Sequence, residues 1–155
     1  MHKIDDPSLQ HSNTPRPQPI DVAAGLVFRG GRLLLTQRPC GTHLGGLWEF
    51  PGGKRHAGET FEDCLRRELK EELGIEVTVG ELLESVTHDY AEKIVHLKFF
   101  RCRLLQNEPQ ALGCRAFAWV NRTELASYNL PPADARLLEK LQRASELWSD
   151  LPNEI

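Results

Sequence analysis

Gly53 to Ile75 read GKRHAGETFEDCLRRELKEELGI. Apolar side chains recur within this stretch at Phe61, Leu65, Leu69 and Leu73, the spacing of one helix face. Thr60-Phe61-Glu62-Asp63 has the form of a capping box and Gly74 that of a C-terminal stop, so the spacing predicts a helix over 60–73. At about 100° per residue, with Phe61 at the origin, Leu65, Leu69 and Leu73 spread to about 120°. Glu68 falls at about −20° and Glu72 at about 20°, inside the arc that faces the core, while Glu71 lies at its edge. A run of charge on a helix ordinarily belongs to a solvated face. Two inward carboxylates repel instead: at ~6 Å and an effective dielectric of ~20 the pair costs roughly 3 kcal/mol. A proton on one of them offsets this, and a hard divalent cation offsets it better. Arg67 helps, but one arginine does not neutralise three acids.

Around this helix the chain organises as a single domain. Residues 1–19 are polar and carry four prolines, which suggests a flexible leader, with the domain over 20–149 and a tail at 150–155. Asp21–Phe28 and Leu33–Gln37 read as strands joined by a tight turn at Arg29-Gly30-Gly31-Arg32. A glycine-rich loop comes next, then the extended piece Trp48-Glu49-Phe50 and a break at Pro51-Gly52-Gly53. Ile75–His88, Ile94–Leu104 and Ala116–Val120 are further strands. Asn121-Arg122-Thr123-Glu124 reads as the cap of a short helix. Leu137, Leu138, Leu141, Ala144 and Trp148 place an amphipathic helix over 133–148. Mixed strands with two main helices imply an α/β fold with both faces of the sheet covered.

Composition excludes several functions. The 155 residues are 40% hydrophobic and 26% charged, ordinary for a globular domain, and the net charge of −3 argues against binding a nucleic-acid polymer. Cys40, Cys64, Cys102 and Cys114 show no CxxC pair, so they read as reduced thiols rather than a zinc site. No stretch approaches the roughly 20 apolar residues of a membrane span, and the chain reads as cytoplasmic.

The spacing from Gly53 through Glu59 to Arg67-Glu68-Leu69-Lys70-Glu71-Glu72-Leu73-Gly74-Ile75 resembles the complete Nudix box, GX5EX7REUXEEXGU with U aliphatic, without a departure. The resemblance implies an α/β/α sandwich with a mixed sheet, in which the box forms a loop–helix–loop. It also implies hydrolysis of a nucleoside diphosphate linked to another group, with Mg²⁺ or Mn²⁺. Within the family the chain is similar to the MutT group, which includes 8-oxo-dGTP diphosphatases and CTP and 5-methyl-dCTP pyrophosphohydrolases. The matching segments are Leu35-Thr36-Gln37-Arg38-Pro39, Leu47 to Lys54 and Leu130-Pro131-Pro132-Ala133-Asp134.

That resemblance implies roles for particular residues. Glu68, Glu71 and Glu72, with the Gly52 carbonyl, would hold metal and position water. Arg38, His43, Glu49, Phe50, Pro51, Gly52 and Asp134 would contact the nucleotide. Gly53, Glu59 and Arg67 would support the motif. The expected activity is release of a nucleoside monophosphate and pyrophosphate, foremost from 8-oxo-dGTP in sanitation of the precursor pool for DNA replication. CTP or 5-methyl-dCTP hydrolysis is the alternative, and a non-catalytic nucleotide-binding domain is the alternative of another class. The expected partner is the small-molecule substrate alone, with the chain a monomer or a homodimer.

Two positions depart from the group. Gly113 stands where a further glutamate is common, so that either the box suffices or Glu108 must reach in. Asp134 stands where the 8-oxoguanine enzymes have asparagine. An asparagine amide both donates and accepts, whereas an ionised aspartate only accepts and suits a donor such as the cytosine amino group. A protonated Asp134 would again imitate asparagine.

Overall fold

In a computed structural model, residues 18–149 are described. Most of the expected leader and all of the expected tail lie outside them. Strand β1 (Ile20–Arg29) turns into β2 (Arg32–Gln37) through Gly30 and Gly31, with φ of 57° and 72°. Two successive left-handed residues are what a twist-matched two-residue hairpin needs, and glycine adopts them without strain. Then come β3 (Trp48–Glu49), β4 (Gly52–Lys54), helix α1 (Phe61–Leu73), the long hairpin β5 (Glu76–Tyr90) and β6 (Lys93–Gln106), β7 (Ala116–Asn121) and helix α2 (Ala135–Arg143).

One seven-stranded mixed sheet results. β1 runs parallel to β6 along one edge. Its other edge changes partner: the first part, Val22 to Ala24, pairs with β4, and only its end, Phe28 and Arg29, pairs with β2. β2 also pairs with β3 and β7. The break falls at Gly25, whose N–H donates to the Pro51 carbonyl at 2.8 Å.

Alternation along the strands divides the core into two layers. Leu65, Leu69 and Leu73 of α1 pack with Ala23, Val27, Leu34 and Phe100 on one face. Leu137 and Leu141 of α2 pack with Leu26, Leu33, Leu35 and Phe99 on the other. This is the sandwich expected of the sequence.

The caps and turns depart from the sequence expectation at several points. Thr60 does cap α1, its hydroxyl accepting from Asp63 N–H at 3.0 Å, and Gly74 closes it at φ 68°. The helix expected over 133–148 is three pieces: a 3-10 turn Pro132–Asp134, α2, and a 3-10 turn Ser145–Trp148. Ala144 leaves helical geometry (ψ 78°), and the Trp148 indole donates to the Leu141 carbonyl, so its ring returns to the core without a continuous helix. The Pro51-Gly52-Gly53 break is in part a strand, because glycine lets β4 lie against β1; a Cβ on Gly52 would overlap the Ala23 carbonyl. The cap expected at Asn121-Arg122-Thr123-Glu124 does form, the Asn121 side-chain oxygen accepting from Glu124 N–H at 2.8 Å, on a short 3-10 turn.

Candidate functional site

The change of partner along β1 opens a cavity between β4, the loop after β2, the start of β6 and the segment before α2. With the solvent at its open mouth included, it spans about 810 Å³. Its floor is apolar (Val22, Ala24, Leu97, Phe99), and Phe50 closes it with its ring edge-on to Phe99 at 5.9 Å. Such a slot fits a flat ring.

Arg38, at the end of β2, holds the loop around it. Its Nε donates to the His43 carbonyl at 2.7 Å and its Nη1 to both Glu49 oxygens at 3.3 Å. Burial pushes the Glu49 carboxyl up, and Arg38 opposes the shift. Asp134 is 5% exposed, lines the cavity, and makes no side-chain hydrogen bond or ion pair among the described residues. Burial first, then the neighbouring Glu49, pushes its carboxyl up to about 7. A buried acceptor without a donor is costly unless a ligand supplies one.

Below the cavity lie Gly52 and Gly53, and behind them α1. Glu68 packs its carboxylate on Gly53, where any Cβ would overlap it. Glu72 is pushed up to about 7, chiefly by burial and then by Glu49; the Gly52 N–H and the Thr36 hydroxyl nearby favour its charge. Glu72 has no ion pair among the described residues.

Arg67 ties the remainder together. It donates to Glu59 through Nε at 3.1 Å and Nη2 at 2.7 Å, to Glu68 at 2.9 Å, to Glu71 at 3.2 Å and to the Lys54 carbonyl at 3.0 Å. Those bonds, with the His56 N–H, hold the Glu59 carboxyl down at about 2. The helix angles hold in three dimensions: the Glu68 side chain is 19% exposed and that of Glu71 60%. Glu71 therefore points outward against Arg67, and no ready-made cluster of three acidic, histidine or cysteine ligands exists among the described residues. The donor set nevertheless fits a hard divalent cation. Glu68 and Glu72 are crowded carboxylates beside Gly52 and Gly53, and Glu72 is half-buried without an ion pair among the described residues.

A sequence profile of the NUDIX domain matches residues 23–140. The chain belongs to this family. It is 42% identical over 120 residues to a CTP pyrophosphohydrolase of Escherichia coli, covering 77% of this chain and 89% of that protein. It is 43% identical over 90 residues to an 8-oxo-dGTP diphosphatase of Proteus vulgaris, covering 57% and 80%. The solution structure of the E. coli ORF135 protein superposes with a TM-score of 0.70 at 39% identity, covering 82% of this chain and 91% of that one. The protein is thus a Nudix hydrolase with the α/β Nudix fold.

The Nudix box was legible in the sequence; several of its neighbours were not. Tyr90 and Lys93, at the tip of the β5–β6 hairpin, also line the cavity. The Tyr90 ring meets His43 edge-on at 5.0 Å. Lys93 is pushed below its ordinary value by burial, with Lys54 and Arg38 adding to it, so three cations share the mouth of the Nudix cavity. Alternation along a strand does not reveal that its tip reaches a site.

Glu108 does not reach in. It pairs with Arg29 at 2.8 Å, at the opposite end of β1 from Gly52. The Gly113 loop docks instead by backbone: the N–H groups of Leu112 and Gly113 both donate to the Glu72 carbonyl at 3.0 Å. The four cysteines are free, and no helix among the described residues is long and apolar enough to cross a membrane.

Proposed function

We propose that the protein is a Mg²⁺-dependent nucleoside triphosphate pyrophosphohydrolase, releasing a nucleoside monophosphate and pyrophosphate, with 8-oxo-dGTP its foremost substrate. One observation carries this: an apolar slot with a buried, unpartnered Asp134 opens directly onto Gly52 and Gly53, behind which Glu68 and Glu72 lie. The base occupies the slot beside Phe50, under the His43–Tyr90 pair. The triphosphate runs past Lys54, Lys93 and Arg38, whose charges offset its own. Glu72 and Glu68, with the Gly52 carbonyl and support from Glu71, are the residues that would hold the cation, Mg²⁺ or Mn²⁺. When bound, it supplies charge neutralisation of the phosphates and activation of water. Glu59 and Arg67 keep Glu68 against Gly53. Sanitation of the nucleotide pool before DNA replication is the corresponding role.

Asp134 specifically favours a second substrate class. Neutral, its carboxyl donates and accepts, matching the O6 acceptor and N7–H donor of 8-oxoguanine. Ionised, it only accepts, matching the amino group of CTP or 5-methyl-dCTP. The names of the relatives divide in the same way. The test is a panel of 8-oxo-dGTP, dGTP, CTP, 5-methyl-dCTP and 2-hydroxy-dATP with Mg²⁺, scored for pyrophosphate. Release from 8-oxo-dGTP supports the first assignment and release from the cytosine nucleotides the second. No pyrophosphate from any of them would leave a binding domain without catalysis.

A further inference from the structure

Strand β2 runs Leu33, Leu34, Leu35, Thr36, all of them buried. Leu34 belongs to the layer under α1, and Thr36, two residues on, faces the same side. It sits in mid-sheet, paired with Glu49 of β3 and Phe117 of β7. Valine has the same shape and would fill the place without a polar atom. The Thr36 hydroxyl is fully buried and completes no hydrogen bond in the structure, the one such side-chain atom among the described residues. It is close enough to the Glu72 carboxylate to favour that group's charge. Glu72 lies near the Gly52 N–H, which also favours its charge, and it forms no ion pair among the described residues. A buried donor without an acceptor, next to a half-buried acid without an ion pair, points to a bond completed when the site is loaded.

We propose that Thr36 is a positioning residue: its hydroxyl donates to the Glu72 carboxylate and holds it toward Gly52 as a cation ligand. The proposal rests on the reading that Glu72 holds the cation. Thr36 itself touches neither substrate nor metal; it orients the group that does, as outer-shell partners orient ligating carboxylates in metal sites generally.

The experiment is a Mn²⁺ titration without nucleotide, by calorimetry or by electron paramagnetic resonance of the free ion, on wild type, Thr36→Val, Thr36→Ser and Glu72→Gln. Thermal unfolding of each metal-free protein runs alongside. Outer-shell losses of this kind weaken metal affinity by roughly 10–100-fold. Thr36→Val is expected to lose affinity within that range while its metal-free melting temperature stays at or above that of wild type. Thr36→Ser is expected to recover to within about 3-fold, because it keeps the hydroxyl. Wild-type affinity in Thr36→Val beside lost affinity in Glu72→Gln overturns the proposal and leaves the metal site standing. Wild-type affinity in both variants overturns the ligand assignment as well. A deficit in Thr36→Val that serine does not repair assigns the effect to packing and also overturns the proposal. Should Thr36→Val not fold, Thr36→Ala makes the same comparison, since it removes the hydroxyl without adding a methyl.

Discussion

Replacing Asp134 by asparagine, and measuring substrate preference against pH, tests the chemistry of the base slot. The carboxyl is pushed up to about 7 by burial and by Glu49. Arg38, His43, Tyr90 and Lys93 also line the cavity, and of these Arg38 is bonded to Glu49. Glu49 acts on Asp134 as a neighbouring negative charge, secondary to burial. With a midpoint of about 7, the Asp134 carboxyl is roughly 90% protonated at pH 6 and roughly 10% at pH 8. The ratio of protonated to ionised forms therefore falls about 100-fold over that interval. If 8-oxo-dGTP needs the neutral carboxyl and CTP the ionised one, the quotient of their kcat/KM values falls by up to about 100-fold from pH 6 to pH 8. The quotient cancels everything the two substrates share, including the ionisation of Glu72 and of the triphosphate. In Asp134→Asn it should become flat and favour 8-oxo-dGTP throughout. The assay is initial-rate pyrophosphate release from both nucleotides at half-unit pH steps with saturating Mg²⁺. Parallel pH profiles for the two substrates in wild type, or an unchanged slope in Asp134→Asn, would refute the argument. Stability supplies a second measure. Between the ordinary carboxyl value of 3.8 and about 7 the folded chain keeps a proton that the unfolded chain has released. Stability therefore falls as pH rises through this window, by at most ~4 kcal/mol at its upper end. Asp134→Asn should remove that loss, so its advantage over wild type in urea denaturation should grow from pH 4 to pH 8.

The same geometry predicts three further outcomes. Glu72→Gln should cut kcat by at least ~10³-fold, since it removes the acid assigned to the cation, and should unfold no more easily than wild type in urea because it also removes a half-buried carboxyl without an ion pair among the described residues. Arg67→Lys cannot reproduce the fork that spans Glu59, Glu68, Glu71 and the Lys54 carbonyl, so the melting temperature should drop and activity fall roughly 10–100-fold. Gly53→Ala places a methyl on the Glu68 carboxylate, which must swing away; Mn²⁺ affinity and kcat should both fall about 10²-fold, with circular dichroism unchanged.

The sequence by itself determined helix α1, its caps and the inward turn of Glu68 and Glu72, because helical periodicity and capping are local and the relevant residues lie within four positions of one another. It likewise carried the β1–β2 hairpin, through two glycines that accept a left-handed backbone. Asp134 could be singled out by its residue type, but its burial beside Glu49, and hence its raised carboxyl, depends on chain segments some 85 residues apart in a domain of this size. The same holds for Thr36 beside Glu72, for Tyr90 and Lys93 at the cavity mouth, and for Glu108, which the sheet brings to Arg29. Only the tertiary structure decided these, since the change of partner along β1 is what sets which distant side chains share one poorly solvated space, and desolvation rather than sequence distance governs their charge and their partners.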